Sequence, residues 1–229
     1  MKVVCCIPTI RRPHQATLDA LERSYPIVAG AGWEFCLVSE IGNAYISVAR
    51  SMMLAKALDA GADVVVFVDH DVSWAPRDFL TLLETPGDVV AGTYRYKKDQ
   101  PEFMGIVLTD QAGRPLTRAD GCVEMKCIPA GFLKITRAAV ERFKQAYPHL
   151  IFGRNAGTEH VDLFNHGAFN DVWFGEDYAF SRNWIALGGE IWLIPTLELT
   201  HHADDKAFAG TYHDYLCRLP GGSQHKEAA

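Results

Sequence analysis

No apolar run in the sequence approaches the roughly 20 residues that a bilayer-spanning helix needs. The opening stretch "MKVVCCIPTIRRP" breaks at Pro8 and then meets Arg11 and Arg12, so its apolar part is too short for a secretory leader. There is no run of Lys and Arg and no basic tail. With a formal net charge of −6, this argues against a broad nucleic-acid footprint. No CxxC occurs: Cys5, Cys6, Cys36, Cys122, Cys127 and Cys217 show no framework spacing, and "CVEMKC" has no second pair to complete a zinc site. Cys5, Cys6 and Cys36 lie in apolar runs, where thiols behave as small hydrophobes. The expectation is a reduced, cytoplasmic protein. There is also no internal repeat and no linker dividing the chain.

What is present is core-forming sequence. At 229 residues and 48% hydrophobic content, the chain suits one globular domain over residues 1–220, with 221–229 expected as a disordered tail. Strand and helix signals alternate through the first half. "KVVCCIP", "WEFCLVS", "DVVVFV" and "GDVVAGTY" read as strands. "HQATLDALERSYPIVAGAG" and "ISVARSMMLAKALDAGA" read as helices, the second with an apolar stripe at Val48, Met52, Ala55 and Leu58. "APRDFLTLLET" opens a third helix with Pro76 in its first turn. Near-continuous apolar strands alternating with helices predict a central, mostly parallel α/β sheet. After Tyr96 the strands shorten. Residues 152–171 are irregular, "EDYAFSRNWIALGG" is the last clear helix, and "EIWLIPTLELT" the last strand region.

One stretch calls for chemistry. In "VVVFVDHDVSW" a buried strand runs straight into Asp69-His70-Asp71. Ligands of open α/β sheets bind outside the carboxyl ends of the strands, and alternation lets both carboxylates face one cleft. Carboxylates that close repel unless a proton or a cation intervenes. A hard divalent ion, Mg²⁺ or Mn²⁺, answers that need and leaves positions open for phosphate oxygens. The plainer reading is that one aspartate caps the next turn and the other is solvated.

Other residues have the same two readings. Glu176 and Asp177 open a helix after Gly175, where acids complement the dipole. Arg11, Arg12 and Arg50 are candidate anion contacts. Gly131 in "PAGF" allows close backbone approach to a ligand, or is a plain turn glycine. Trp173, Trp74 and Phe132 are candidates to stack on sugar or base, Trp173 foremost. "TYRYKK" sets two tyrosines and three cations after the fourth strand, to bind an acceptor, to cover a diphosphate, or as a solvated loop.

Taken in order, "CCIPTIRR", "ISVARSMMLAKAL", "FVDHDVSWAP", "IPAGFLKITRAAVERF", "FGEDYAFSRNWIALGGEIWLIP" and "LELTHH" resemble the motifs of GT-A glycosyltransferases. The nearest flavour is that of the compact, family 2-like enzymes of bacteria and phages. The resemblance spans roughly residues 3–210. It implies a Rossmann-like nucleotide-diphospho-sugar transferase fold and transfer from a nucleotide-sugar, UDP favoured, to an acceptor hydroxyl. It implies a Mn²⁺ or Mg²⁺ ion on Asp69, Asp71 and His201, with Asp69 shared between metal and ribose. Only one of His201 and His202 can face the cleft, and His201 is preferred. Thr9, Arg11, Arg50, Asp69, Gly131 and Trp173 are implied on the donor side. Asp177 is implied as general base in an inverting reaction, with Glu176 orienting it or touching the sugar. The acceptor stays open: a glycan, a lipid-linked sugar, a protein or a modified DNA base.

Alternatives remain. A nucleotidyltransferase of related fold typically has a glycine-rich loop after its first strand, and "PTIRRPHQ" has no glycine. An aspartate phosphohydrolase places its paired aspartates on the strand nearest the N-terminus. A catalytically inactive nucleotide-sugar-binding module is the third.

Overall fold

The structure, a computed structural model, describes residues 1–218. The tail expected at 221–229 lies outside the described residues. The first half follows the alternation: β1 Lys2–Thr9, α1 Gln15–Gly30, β2 Glu34–Ile41, α2 Ile46–Asp59, β3 Val64–Val68, β4 Val72–Trp74, α3 Asp78–Glu84 and β5 Val89–Ala91. The second half is more broken: β6 Ile106–Val107, β7 Val123–Cys127, β8 Phe132–Thr136, α4 Arg137–Ala146, β9 Ile151–Phe152, β10 His160–Val161, β11 Gly167–Phe169 and β12 Val172–Phe174. It closes with α5 Glu176–Ala186, β13 Trp192–Leu193, β14 Leu199–His202, β15 Ala207–Gly210 and α6 Tyr212–Arg218.

The central sheet has the order β2-β1-β3-β8-β5-β13-β7-β6. β1 pairs parallel with β2 and β3, and β5 with β13. β8 runs against both β3 and β5, and β7 against both β13 and β6. The expected α/β sheet is therefore present as a mixed one, most of its strands sharing a direction. β8 separates β3 from the fourth expected strand, which is shorter than its apolar run. Past Ala91, a side chain at Gly92 would collide with Leu199.

Alternation along the strands divides the core into two layers. Val3, Cys5 and Ile7 of β1 join Val64, Val66, Leu21 and Phe79 on one face. Val4 and Cys6 join Val65, Phe67, Met53, Leu54, Phe143 and Trp184 on the other. The stripe expected on α2 is corrected. Val48 is exposed and Met52 and Leu58 are only half-buried, while Arg50, Met53, Leu54 and Ala57 are buried. The helix is apolar on nearly every side, so composition alone did not choose its buried face.

A second sheet, β15-β14-β4, is antiparallel and sets His201 opposite Val72. β15 and α6 extend the fold beyond the last strand and last helix expected from the sequence. No helix among the described residues is long and apolar enough to cross a membrane.

Candidate active site

β3 delivers Asp69 to the carboxyl end of the sheet's interior, where its amide donates to Gly131 O at 3.0 Å and its carbonyl accepts from Val72 N at 3.2 Å. That tight turn lets the chain re-enter as β4 with Asp71 between. Asp69 Oδ1 accepts from Arg50 Nη2 at 2.9 Å, and Oδ2 accepts from the Tyr94 hydroxyl at 2.7 Å. Burial, and then the charge of Asp69, push the Tyr94 phenol well above its usual range, so it stays a donor.

Arg50 is the hub. Its other arm, Nη1, donates to Glu176 Oε1 at 2.9 Å, and its guanidinium lies 5.0 Å from the centre of the Phe164 ring. The residue is 2% exposed. Burial alone would lower its pKa, but the charges of Asp69 and Glu176 hold it up. Arg50 was expected to meet the nucleotide; the structure commits it to two carboxylates of its own chain. It thereby ties the end of β3 to the start of α5.

Asp177 stands beside Glu176 in the first turn of α5, and its Oδ1 accepts from Tyr178 N at 2.8 Å. Its carboxyl is pushed up to about 6, first by burial and then by the charge of Glu176, with Arg50 opposing. The helix cap is Gly175, which offers no side-chain bond. The two acids are therefore more than a cap: one pairs with Arg50 and the other is half-buried with its pKa raised.

Asp71 belongs to a second cluster. Its Oδ2 lies 2.5 Å from Lys97 Nζ and 3.6 Å from His201 Nε2. Burial alone would raise this carboxyl, but the His201 and Lys97 contacts hold it far below the carboxylate range. His201 Nδ1 is 2.9 Å from Arg95 O. A carbonyl only accepts, so Nδ1 carries the proton and Nε2 turns to Asp71. His202 faces away: its Nε2 bonds Ser73 Oγ at 2.8 Å, its ring stacks on His14 at 4.4 Å, and burial lowers its pKa. The Tyr94 ring, 4.9 Å from that of His201, joins the two clusters.

The expected three-ligand metal set does not assemble. Among the described residues no three His, Cys, Asp or Glu side chains gather as metal ligands. The cause is visible: Asp69 spends both oxygens on Arg50 and Tyr94. Asp71 and His201 do fit a hard divalent ion as a pair. They offer a carboxylate oxygen and an imidazole nitrogen oriented by a backbone carbonyl, and an ammonium already stands on that carboxylate.

The remaining expected residues are dispersed. Thr9 ends β1, 5% exposed, its hydroxyl without a partner among the described residues. Arg11 and Arg12 are exposed, and Arg12 donates to Gln15 at 3.0 Å. A side chain at Gly131 would run into the Tyr94 hydroxyl and the Asp69 carboxylate, so the glycine serves their bond rather than open space for a ligand. Trp74 and Phe132 are core residues, 3% and 0% exposed, and offer no stacking face. Trp173 is 71% exposed on the β11–β12 hairpin. Tyr94, Phe164 and Lys97 were not singled out from the sequence. Two of them sit in the flagged "TYRYKK", while Phe164 carried no signal.

No protein-family model matches the chain, and no curated protein does. Among solved structures it is similar to GalNAc-T7 crystallised with UDP, GalNAc and Mn²⁺, at 11% identity over 87% of this chain and 43% of that one, with a TM-score of 0.49. It is similar to a fragment of S. aureus TarS, at 13% identity over 94% and 62%, TM-score 0.46. It is also similar to a mannose-1-phosphate geranyltransferase from Thermus thermophilus, at 16% over 64% and 61%, TM-score 0.44. GalNAc-T7 and TarS are glycosyltransferases of the GT-A type, the class the sequence resembles. The chain spans 43% to 62% of the length of these three. At these scores and identities the likeness decides nothing about the chemistry of this chain, which its own residues must carry.

Proposed function

We propose that the chain is a metal-assisted glycosyltransferase. It moves a sugar from a nucleoside diphosphate donor, uridine favoured, to an acceptor hydroxyl in a cytoplasmic setting. One observation supports this above the rest: Arg50 bonds Asp69 and Glu176 at once, which puts the two acidic motifs in one place.

In this reading Asp71 and His201 hold the Mg²⁺ or Mn²⁺ ion. Bound there, the ion offsets the charge that builds on the departing diphosphate. With two protein ligands, the pair leaves positions for phosphate oxygens. Asp69 keeps its bonds to Arg50 and Tyr94, and its spare lone pairs accept from a ribose hydroxyl. Thr9 supplies an unspent hydroxyl at the end of β1 for the nucleoside. Arg11 meets the diphosphate and Trp173 the sugar. Arg50 and Gly131 act from behind, by fixing Asp69.

Asp177 is the base. Near pH 7 a carboxyl with a pKa of about 6 is mostly ionised, yet more basic than a free aspartate. It takes the proton of the acceptor hydroxyl as the acceptor oxygen bonds the anomeric carbon. The bond from that carbon to the diphosphate oxygen breaks, and the anomeric configuration inverts.

Thermal unfolding with UDP, GDP, CDP and ADP, each with and without Mn²⁺, tests the reading. A ligand that binds only the folded chain raises Tm by mass action. One diphosphate is expected to raise Tm only when Mn²⁺ is present, and Asp71→Asn is expected to lose that rise. A rise independent of both metal and Asp71, or none with any nucleotide, would refute it.

A further inference from the structure

One short stretch reaches all three residues expected to hold a metal. The Tyr94 hydroxyl donates to Asp69, the Arg95 carbonyl accepts from His201, and Lys97 Nζ sits on Asp71. The three contacts differ in kind. Tyr94 is 1% exposed and fixed in the core. Arg95 is held by its β-bridge to Phe103 and by its guanidinium bond to Asp99 O at 3.0 Å. The side chain of Lys97 is 36% exposed, and Asp71 is its one side-chain partner among the described residues.

The turn carrying Lys97 does not need it. Tyr96 N donates to Glu102 O at 3.0 Å, and the pairs Lys98–Glu102 and Lys206–Asp99 brace the turn on either side. The ammonium is therefore a charge placed on Asp71 by a support that stands without it.

We infer that Lys97 is a displaceable cation, which holds Asp71 until a divalent ion arrives and then engages the diphosphate of the donor. The inference rests on the metal and nucleotide reading of the site. Lys97 and His201 converge on the same oxygen, Asp71 Oδ2. A divalent ion held by Asp71 and His201 would set a second positive charge beside the Lys97 ammonium, and like charges repel most where water is scarce. Lysine can leave at low cost, because its charge rides on a flexible four-carbon stem and hydrates readily. A diphosphate bound beside that ion would offer Lys97 a new anion, and ammonium is a good point-charge partner for phosphate. Metal alone works against Lys97; metal with nucleotide recruits it.

Mn²⁺ titration followed by electron paramagnetic resonance, on the full chain at neutral pH, reads both halves without turnover. The samples are wild type, Lys97→Ala, Lys97→Arg and Asp71→Asn, each with Mn²⁺ alone and with Mn²⁺ plus UDP. Lys97→Ala is expected to bind Mn²⁺ alone about tenfold more tightly, because a part-buried competing ion pair is gone. The same variant is expected to show a smaller gain in Mn²⁺ affinity on adding UDP, and Lys97→Arg to behave as wild type. If Lys97→Ala binds Mn²⁺ no better than wild type while Asp71→Asn abolishes binding, the metal site stands and the inference falls. If wild type binds no Mn²⁺ even with UDP, or Asp71→Asn binds it unchanged, the metal reading fails and takes the inference with it.

Discussion

Val3 through Thr9 of β1 are buried without interruption, whereas Phe169, Val172 and Trp173 of the β11–β12 hairpin stand in solvent. The first half of the chain is a scaffold built around β1 and β3, strands covered on both faces that need only apolar residues in sequence. The second half adds buried residues of its own, Leu133, Phe143, Phe180 and Trp184 among them, and ties its polar residues back to that scaffold through contacts such as Glu176 to Arg50 and Lys97 to Asp71. The difference teaches where the chemistry is stored. Scaffold residues lower the free energy of the fold, while site residues raise it and are held in place by neighbours.

Asp177→Asn tests that division most sharply. In the role of general base proposed for it, its loss is expected to slow transfer by about 10²–10⁴-fold. Its effect on stability has the opposite sign. The folded pKa is about 6 against an ordinary 3.8, so between those values the folded chain keeps a proton that the unfolded chain releases. Stability therefore falls as pH rises through that window. Above it, the ionised group costs at most about 3 kcal/mol, which Asn removes. The variant is expected to melt higher than wild type at pH 7.5, with the gap closing as pH drops below 4. Equal or lower Tm at pH 7.5 would show that Asp177 is an ordinary helix-start acid.

Arg50→Met cuts the tie between the halves. Two carboxylates are left without their partner, and breaking a buried pair costs about 3–5 kcal/mol. Urea unfolding is expected to show a lower midpoint at unchanged slope. Arg50→Lys should recover only part of the loss, since one ammonium cannot span Asp69 and Glu176 as a fork does. A shift below about 1 kcal/mol for the methionine variant would mean that the network is ornamental, because changes of that size are typical of exposed pairs.

The same contrast explains what was legible in the sequence. β1 and β3 declared themselves because a strand buried on both faces is apolar throughout. Asp69, Asp71, Glu176, Asp177 and His201 stood out as charged or imidazole side chains at element ends. The division of labour between Asp69 and Asp71 did not, because it depends on Tyr94 and Lys97, which arrive from beyond β5. The antiparallel sense of β8 was equally hidden, since "FLKIT" reads the same in either direction. Arg50 did leave a trace. It falls at i with Met53, Leu54 and Ala57 at i+3, i+4 and i+7, so a charge lies on a buried helical stripe that is otherwise apolar. Reading the stripe through Val48 and Met52 passed over that trace, and Arg50 was set on the donor side by the family resemblance instead.

The smallest expected stability effect separates the two faces of one hairpin. Trp173 pairs with Ala168, while Phe169 and Phe174 turn to the other face and enclose the Arg182 guanidinium at 4.2 and 4.6 Å. Phe174→Ala removes half of that enclosure and is expected to destabilise the chain by about 1–2 kcal/mol, within the range of ordinary destabilising substitutions. Trp173→Ala removes a ring that is 71% exposed, so stability should stay within about 0.5 kcal/mol. Its cost is expected in binding instead. If the indole stacks on a sugar, KM should rise by a few-fold with kcat nearly kept, the signature of an interaction made equally in ground state and transition state. Paired Tm and KM measurements on the two alanine variants decide the matter. An equal loss of Tm in both would make Trp173 a packing residue, and the exposed face of the hairpin would then have no part in the reaction.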